Sequence, residues 1–185
     1  GSRRFDAMLS LLELTEERLW EKPATSADER QVFGIPYWLV KNNTVGFNGG
    51  DPAGFSAGAG GLATATYAKW KNYSGQYVNF SDNDLVSKVR RAKRLTKFKT
   101  PANINEKTMR SILDRCRTHT TDETIHELES LARSNNENLG KDLGKFQDMT
   151  TILGVPITYT PELDTDSTNP LYMINYDSFT PFYLK

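Results

Sequence analysis

Cysteine occurs once in these 185 residues, at Cys116, and histidine only twice, at His119 and His126. A single cysteine excludes an internal disulfide and suits a reducing compartment. Paired cysteines of the kind that hold zinc are missing. Cys116, His119 and His126 are then three potential ligands with no fourth, split by a helix break expected at Thr120, so neither a metal nor another cofactor is expected. No apolar run approaches the roughly 20 residues needed to cross a bilayer, and no signal-peptide pattern is visible, so a membrane partner is not expected either. Net charge is absent too: 23 Lys and Arg balance 23 Asp and Glu. A neutral chain has no global attraction to nucleic acid and little repulsion between its own copies. No internal repeat is found, which argues against a solenoid.

Hydrophobic periodicity supplies the elements that are present. Phe5, Met8, Leu9, Leu12, Leu19 and Trp20 recur at three- and four-residue steps, which predicts a helix from Phe5 to Lys22 ended by Pro23. Leu11 and Leu14 widen its apolar surface, so packing on more than one side is expected. Phe33 to Val40 reads as a short strand, held at an edge or bulge by Pro36. Val45 to Gly61 contains more than half of the chain's 13 glycines and reads as a long mobile loop, functional or interfacial. Tyr67, Trp70, Tyr73, Tyr77 and Phe80 suggest an extended, half-buried segment. A second helix is expected from Ser81 to Leu95, capped by Ser81 and Asp84, with Leu85, Val89 and Ala92 inward. A third runs from Asn105 to Arg117 with Cys116 on its apolar stripe. Thr120 to Glu123 caps a fourth, whose inner face is Ile125, Leu128, Leu131 and Ala132 and whose end is Asn135-Asn136. Thr151 to Tyr159 alternates as one strand, with Leu171 to Tyr176 as its antiparallel partner. This order implies an α+β fold.

The ends carry their own expectations. Gly1-Ser2 matches the scar of a cleaved tag. The segment from Asn169 to Lys185 is apolar and aromatic, unlike most termini. Both ends read as cut, so the chain is expected to be a core taken from a longer protein. Charge is segregated between them: residues 88–117 are strongly basic, whereas residues 122–148 are mainly acidic. Opposite patches of this kind steer copies of one chain into register.

Several constellations bear on chemistry. Gly54-Phe-Ser-Ala-Gly58 matches the G-x-S-x-G nucleophile elbow, which would make Ser56 the nucleophile of a serine hydrolase with His119 or His126 as base. The elbow needs a strand before it and a helix after it; here a turn precedes and further glycines follow, as a Gly/Ala/Ser-rich loop produces by composition alone. As a phosphate cradle the same loop lacks the lysine and hydroxyl that end a P-loop. Cys116 on an apolar stripe reads as core, and the two histidines as exposed or helix-capping. Glu16 and Glu17 read as surface charges of a helix. The basic helix from Lys88 to Lys99, with Arg90, Arg91 and Arg94, is the best nucleic-acid signal, but no DNA- or RNA-binding motif accompanies it. No catalytic residue follows from these patterns. Asn42, Asn72 and Asn79 each begin a glycosylation tripeptide, a match too short to imply secretion.

An ordered set of segments does point to a family. Asp6 to Pro23, Phe33-Gly-Ile-Pro-Tyr-Trp-Leu-Val40, Gly46-Phe-Asn-Gly-Gly-Asp-Pro-Ala-Gly-Phe55, Trp70-Lys-Asn-Tyr73, Asn138 to Leu143, Leu153 to Tyr159 and Asn169 to Lys185 together resemble the middle of a tailed-phage major capsid protein. The resemblance implies the Hong Kong 97-type capsid fold in truncated form. Residues 3–80 would be part of the peripheral domain, with Phe5 to Lys22 as its long spine helix and Gly46 to Gly61 as the connecting loop. Residues 81–185 would be the axial domain, a central mixed or antiparallel sheet flanked by helices. The implied role is a structural subunit, not an enzyme, made in the host cytoplasm and located in the virion. It would self-assemble into hexamers and pentamers around double-stranded DNA held without sequence specificity, with scaffolding, portal or decoration proteins as further partners. The family's N-terminal arm, extended loop and closing peripheral strand have no counterpart in the chain.

Overall fold

The computed structural model describes residues 2–28, 30–98, 116–135, 151–153, 155–176 and 179. Most of the helix expected from Asn105 to Arg117, the Asn138 to Leu143 segment, and nearly all of the tail beyond Tyr176 lie outside these residues. The chain forms two compact units, Gly1–Gln76 and Tyr77–Lys185.

The first unit begins with α1 (Ser2–Leu19). Its apolar periodicity forms the helix as expected, and buried Trp20 and Pro23 anchor its end. The expected packing on several sides is not found: every residue from 3 to 17 is exposed. Phe33 to Val40 is not a strand. Ile35–Trp38 forms the single helical turn α2, with Pro36 in its first turn. Proline lacks an N–H that this position does not use, and its fixed φ already suits a helix. The run instead buries its aromatic rings. Tyr37 packs edge-on against Phe55 at 4.9 Å and tilted against Phe33 at 4.6 Å. Tyr37, Phe55 and Ala59 are the core of this unit.

The glycine-rich segment wraps this aromatic cluster in tight turns. Phe55 N donates to Pro52 O, Gly58 N to Phe55 O, and Gly61 N to Gly58 O. Gly54 and Gly58 have φ of 90° and 80°, conformations that side chains disfavour. Two aromatic side chains fasten the turns: Tyr37 OH accepts from Gly60 N at 2.9 Å, and Trp70 Nε1 donates to Ala59 O at 3.1 Å. The expected extended aromatic segment is only partly half-buried, because Tyr67 and Trp70 are exposed. Asn72 stands in for a strand neighbour. Its side chain accepts from Val40 N at 3.1 Å and donates to Val40 O at 3.0 Å.

In the second unit a π-helical turn, Asp82–Val86, leads into α3 (Ser87–Leu95). Ser81 Oγ accepts from Asp84 N, the expected cap. Asp84 does not close a reciprocal capping box. Its carboxylate accepts from Val78 N and Asn79 N and pairs with Lys88. The sheet has strand order β2-β3-β1-β4, with β1 Cys116–Thr120, β2 Thr151–Ile152, β3 Val155–Tyr159 and β4 Tyr172–Asn175. Between β1 and the β2–β3 hairpin lies α4 (Asp122–Asn135), capped by Thr121 Oγ1, which accepts from Thr124 N. Thr124 and Leu128 are buried on it and Ile125 and Leu131 half-buried, but Ala132 is exposed.

Three strand expectations change. Cys116 and Arg117 end no helix; they open β1. Thr151 to Tyr159 is two strands, because Leu153 turns the chain with a φ of 51° and Ile152 pairs back onto Val155. The segment Leu171 to Tyr176 does contain an antiparallel strand, but β4 pairs with β1. β1 also pairs in parallel with β3 and so separates the two strands expected to be neighbours. The fold is therefore mixed helix and sheet, with one four-stranded mixed sheet among the described residues.

Leu85, Val89, Leu128 and Ile152 form the core under one sheet face, joined by Ile157 and Met173. Thr118 pairs with both Ile157 and Met173 and therefore shares this face. It is fully buried, and its Oγ1 has no hydrogen-bond partner among the described residues. Thr118→Val keeps the branched shape and removes the unsatisfied hydroxyl. It is expected to raise the urea midpoint of the second unit by the equivalent of about 1 kcal/mol.

Candidate functional site

The sequence-derived candidates for chemistry do not assemble into one constellation. Ser56 is exposed in the turn following Phe55, in the first unit. Its flanks are turns rather than the strand and helix of an elbow. His126 is exposed on α4, whereas Cys116 and His119 are buried on β1. Strand alternation sends Cys116 and His119 to opposite faces of the sheet. Among the described residues no group of three or more His, Cys, Asp or Glu side chains could hold a metal.

His119 is neither exposed nor a helix cap. Its Nδ1 lies 3.0 Å from Thr160 Oγ1, and its Nε2 lies 2.7 Å from Tyr176 OH. Burial lowers its pKa to about 4, and the nearby Arg117 charge adds to the effect. At neutral pH the ring is uncharged, donating from one nitrogen and accepting at the other. This makes it a joint between β1, the loop after β3 and the end of β4. Asn169 forms a second joint. Its Nδ2 donates to Glu123 Oε2 at 2.6 Å, and its backbone oxygen accepts from Tyr77 OH at 2.6 Å. Thr121 Oγ1 donates to its Oδ1. Sequence reasoning assigned Asn169 only to an apolar tail; an Asn-Pro pair after a polar turn was the available signal. Its φ of 47° suits asparagine, which tolerates that region.

The basic helix is partly committed to the fold. Lys88 pairs with Asp84, and Lys93 Nζ donates to Leu153 O at 2.5 Å. The Lys88 charge and the Asn79 and Val78 amides hold the Asp84 carboxyl down to about 2. Arg90, Arg91 and Arg94 remain exposed on α3.

The most exposed apolar feature is α1. Phe5, Met8, Leu11 and Leu12 are each 62 or 63% exposed, and Leu9 and Leu14 are 43% and 47% exposed. Scattered exposed leucines are ordinary, but six on one helix form a continuous surface, and such surfaces mark contacts. Covering each side chain is worth about 1.5–3 kcal/mol. Where the helix meets the rest of its unit, Arg18 Nη1 pairs with Glu21 Oε2 at 2.6 Å. No helix among the described residues is long and apolar enough to cross a membrane.

No family model, curated protein or solved structure matches this chain. Its class is accordingly defined by the fold and this surface alone: a mixed helix-and-sheet protein that presents an uncovered apolar helix.

Proposed function

We propose that this protein is a structural subunit of an icosahedral phage capsid, built on the Hong Kong 97-type fold and located in the virion. The observation that carries this reading is the uncovered apolar surface of α1, the segment whose sequence resembles the family's spine helix. A shell subunit works through many lateral contacts at once. Each contact can be weak, because neighbours already held in place raise the effective concentration of the next. An exposed apolar helix is costly for a protein that works alone and useful for one that packs against copies of itself. The ordered resemblance of the segments adds the fold, the hexamers and pentamers, and the enclosed double-stranded DNA. Scaffolding, portal or decoration proteins are further partners on the same ground.

The test is assembly. The protein, expressed with any scaffolding partner encoded beside it, is expected to form closed shells visible by electron microscopy. A protein that stayed monomeric in every salt and scaffold condition would sink the proposal.

A second reading rests on the exposure of Arg90, Arg91 and Arg94. It makes α3 a nucleic-acid-binding surface. Submicromolar DNA binding by the 185-residue chain, falling steeply with salt and lost when those three arginines are neutralised, would favour it.

A further inference from the structure

Asn169 precedes Pro170, and that order closes the usual reaction of an asparagine side chain. The usual reaction is attack on the side-chain amide by the next backbone N–H, and proline has none. The converse stays open: the side-chain nitrogen can attack the residue's own carbonyl carbon, which breaks the chain. Three groups of the second unit converge on the atoms that this reaction uses. Glu123 Oε2 accepts from Asn169 Nδ2, the attacking atom, at 2.6 Å. An ionised carboxylate only accepts, so the amide atom turned toward it is the nitrogen. Tyr77 OH donates to Asn169 O, the oxygen of the carbonyl under attack, at 2.6 Å. Burial raises the Tyr77 pKa and the nearby Glu123 charge adds to the effect, so the phenol keeps its proton. Thr121 Oγ1 donates to Asn169 Oδ1 at 3.2 Å. On the far side of the bond, Thr120 Oγ1 donates to Pro170 O at 2.9 Å and holds the segment that would leave.

We infer that the second unit cleaves its own main chain between Asn169 and Pro170. Nδ2 attacks the Asn169 carbonyl carbon while Glu123, within hydrogen-bond reach, removes one of its protons as general base. Negative charge builds on the backbone oxygen, where Tyr77 OH stabilises it as an oxyanion-hole donor would. Thr121 donates to Oδ1, the atom on which the side-chain amide gathers charge as it loses its proton. The C–N bond to Pro170 then breaks, and the proton held by Glu123 passes to the proline nitrogen. One C–N bond forms and one breaks, with no oxidation and no water consumed. The products are a chain that ends at residue 169 in a succinimide ring and a segment that begins with the free amine of Pro170. Water later opens the ring to asparagine or isoasparagine. Because β4 is paired with β1, scission frees one end of that strand without removing it from the sheet. The inference stands independently of the capsid reading.

Mass spectrometry tests it on the purified 185-residue chain, held at neutral pH and sampled in denaturant over weeks. A fragment beginning at Pro170 is expected to accumulate at a rate independent of protein concentration. Its partner should end in a ring one water lighter than a hydrolysed chain, a product that no hydrolytic protease leaves. Glu123→Gln keeps the shape of the side chain and removes the base, so cleavage should slow at least about tenfold. Tyr77→Phe keeps the ring and removes the donor, and should also slow it at least about tenfold. Circular dichroism checks that each variant is folded. A further comparison needs no variant. The wild-type chain unfolded in urea should cleave at least about tenfold more slowly than the folded chain, because unfolding disperses the groups around Asn169. A folded wild-type chain that stays intact overturns the inference. So does a fragment that ends in ordinary asparagine alone, cleavage as fast in urea as in the folded state, or a rate unchanged in both folded variants.

Discussion

Gly34→Ala is expected to disrupt the first unit strongly, through a clash with backbone alone. A Cβ at this position would lie 2.3 Å from both Leu19 O and Glu21 O, and 2.7 Å from Arg18 O. These carbonyls belong to the end of α1 and the turn beyond it, so they cannot rotate aside as a side chain would. Backbone strain is not the issue: Gly34 has φ −73° and ψ −174°, open to any residue. Overpacking typically costs 1–3 kcal/mol, and a clash with three backbone atoms belongs at or above the top of that range. The expected result is a loss of about 3 kcal/mol or more, read as a fall in the urea midpoint together with loss of the near-ultraviolet signal of the Tyr37–Phe55 cluster. Gly50→Ala is the control, because a Cβ there meets nothing within 4 Å. It should shift stability by less than about 0.5 kcal/mol. Equal effects from the two changes would show that α1 is not fastened at Gly34.

Acid should weaken the second unit in a window set by His119. Its pKa is about 4 in the folded protein against 6.5 for the free side chain. Above pH 6.5 both folded and unfolded states hold a neutral ring, and stability is complete. As pH falls below 6.5 the unfolded chain gains a proton that the folded chain resists, so stability drops until about pH 4. Below that both states are protonated, and this contribution is flat. The difference corresponds to at most about 3 kcal/mol, reduced by whatever water still screens the ring. Burial pushes the Tyr176 phenol, which faces the ring, further above this range. His119→Gln should flatten the stability curve between pH 6.5 and 4, whatever it does to stability at neutral pH. A further decline is expected below pH 3.8, as Asp84, held to about 2, loses its charge and its contact with Lys88. An unaltered slope in the glutamine variant would mean that His119 is hydrated rather than enclosed.

The local readings that succeeded all depended on neighbours close in sequence. The stripe from Phe5 to Trp20 specifies α1 through its 3.6-residue period, and Ser81 caps the next helix through an amide three residues away. The readings that failed each needed a distant partner. Phe33 to Val40 is as apolar as a strand, but Phe55 and the Tyr37 ring determine how it is buried. Thr151 to Tyr159 alternates convincingly, yet the chain reverses at Leu153, whose oxygen is gripped by Lys93 from α3. His119 looked like an exposed residue between helices because nothing adjacent announces Thr160 or Tyr176, 41 and 57 residues away.

The candidate site divides in the same way. The sequence placed six large apolar side chains on one helix, since a regular helix converts spacing directly into direction. It could not show that α1 would be left uncovered, because that depends on where every other segment goes. Composition and period alone determined that this is a charge-balanced α+β chain with an amphipathic first helix and no disulfide. Tertiary structure decided the strand order, the burial of His119 and the exposure of α1, because pairing and burial depend on contacts between residues far apart in the chain.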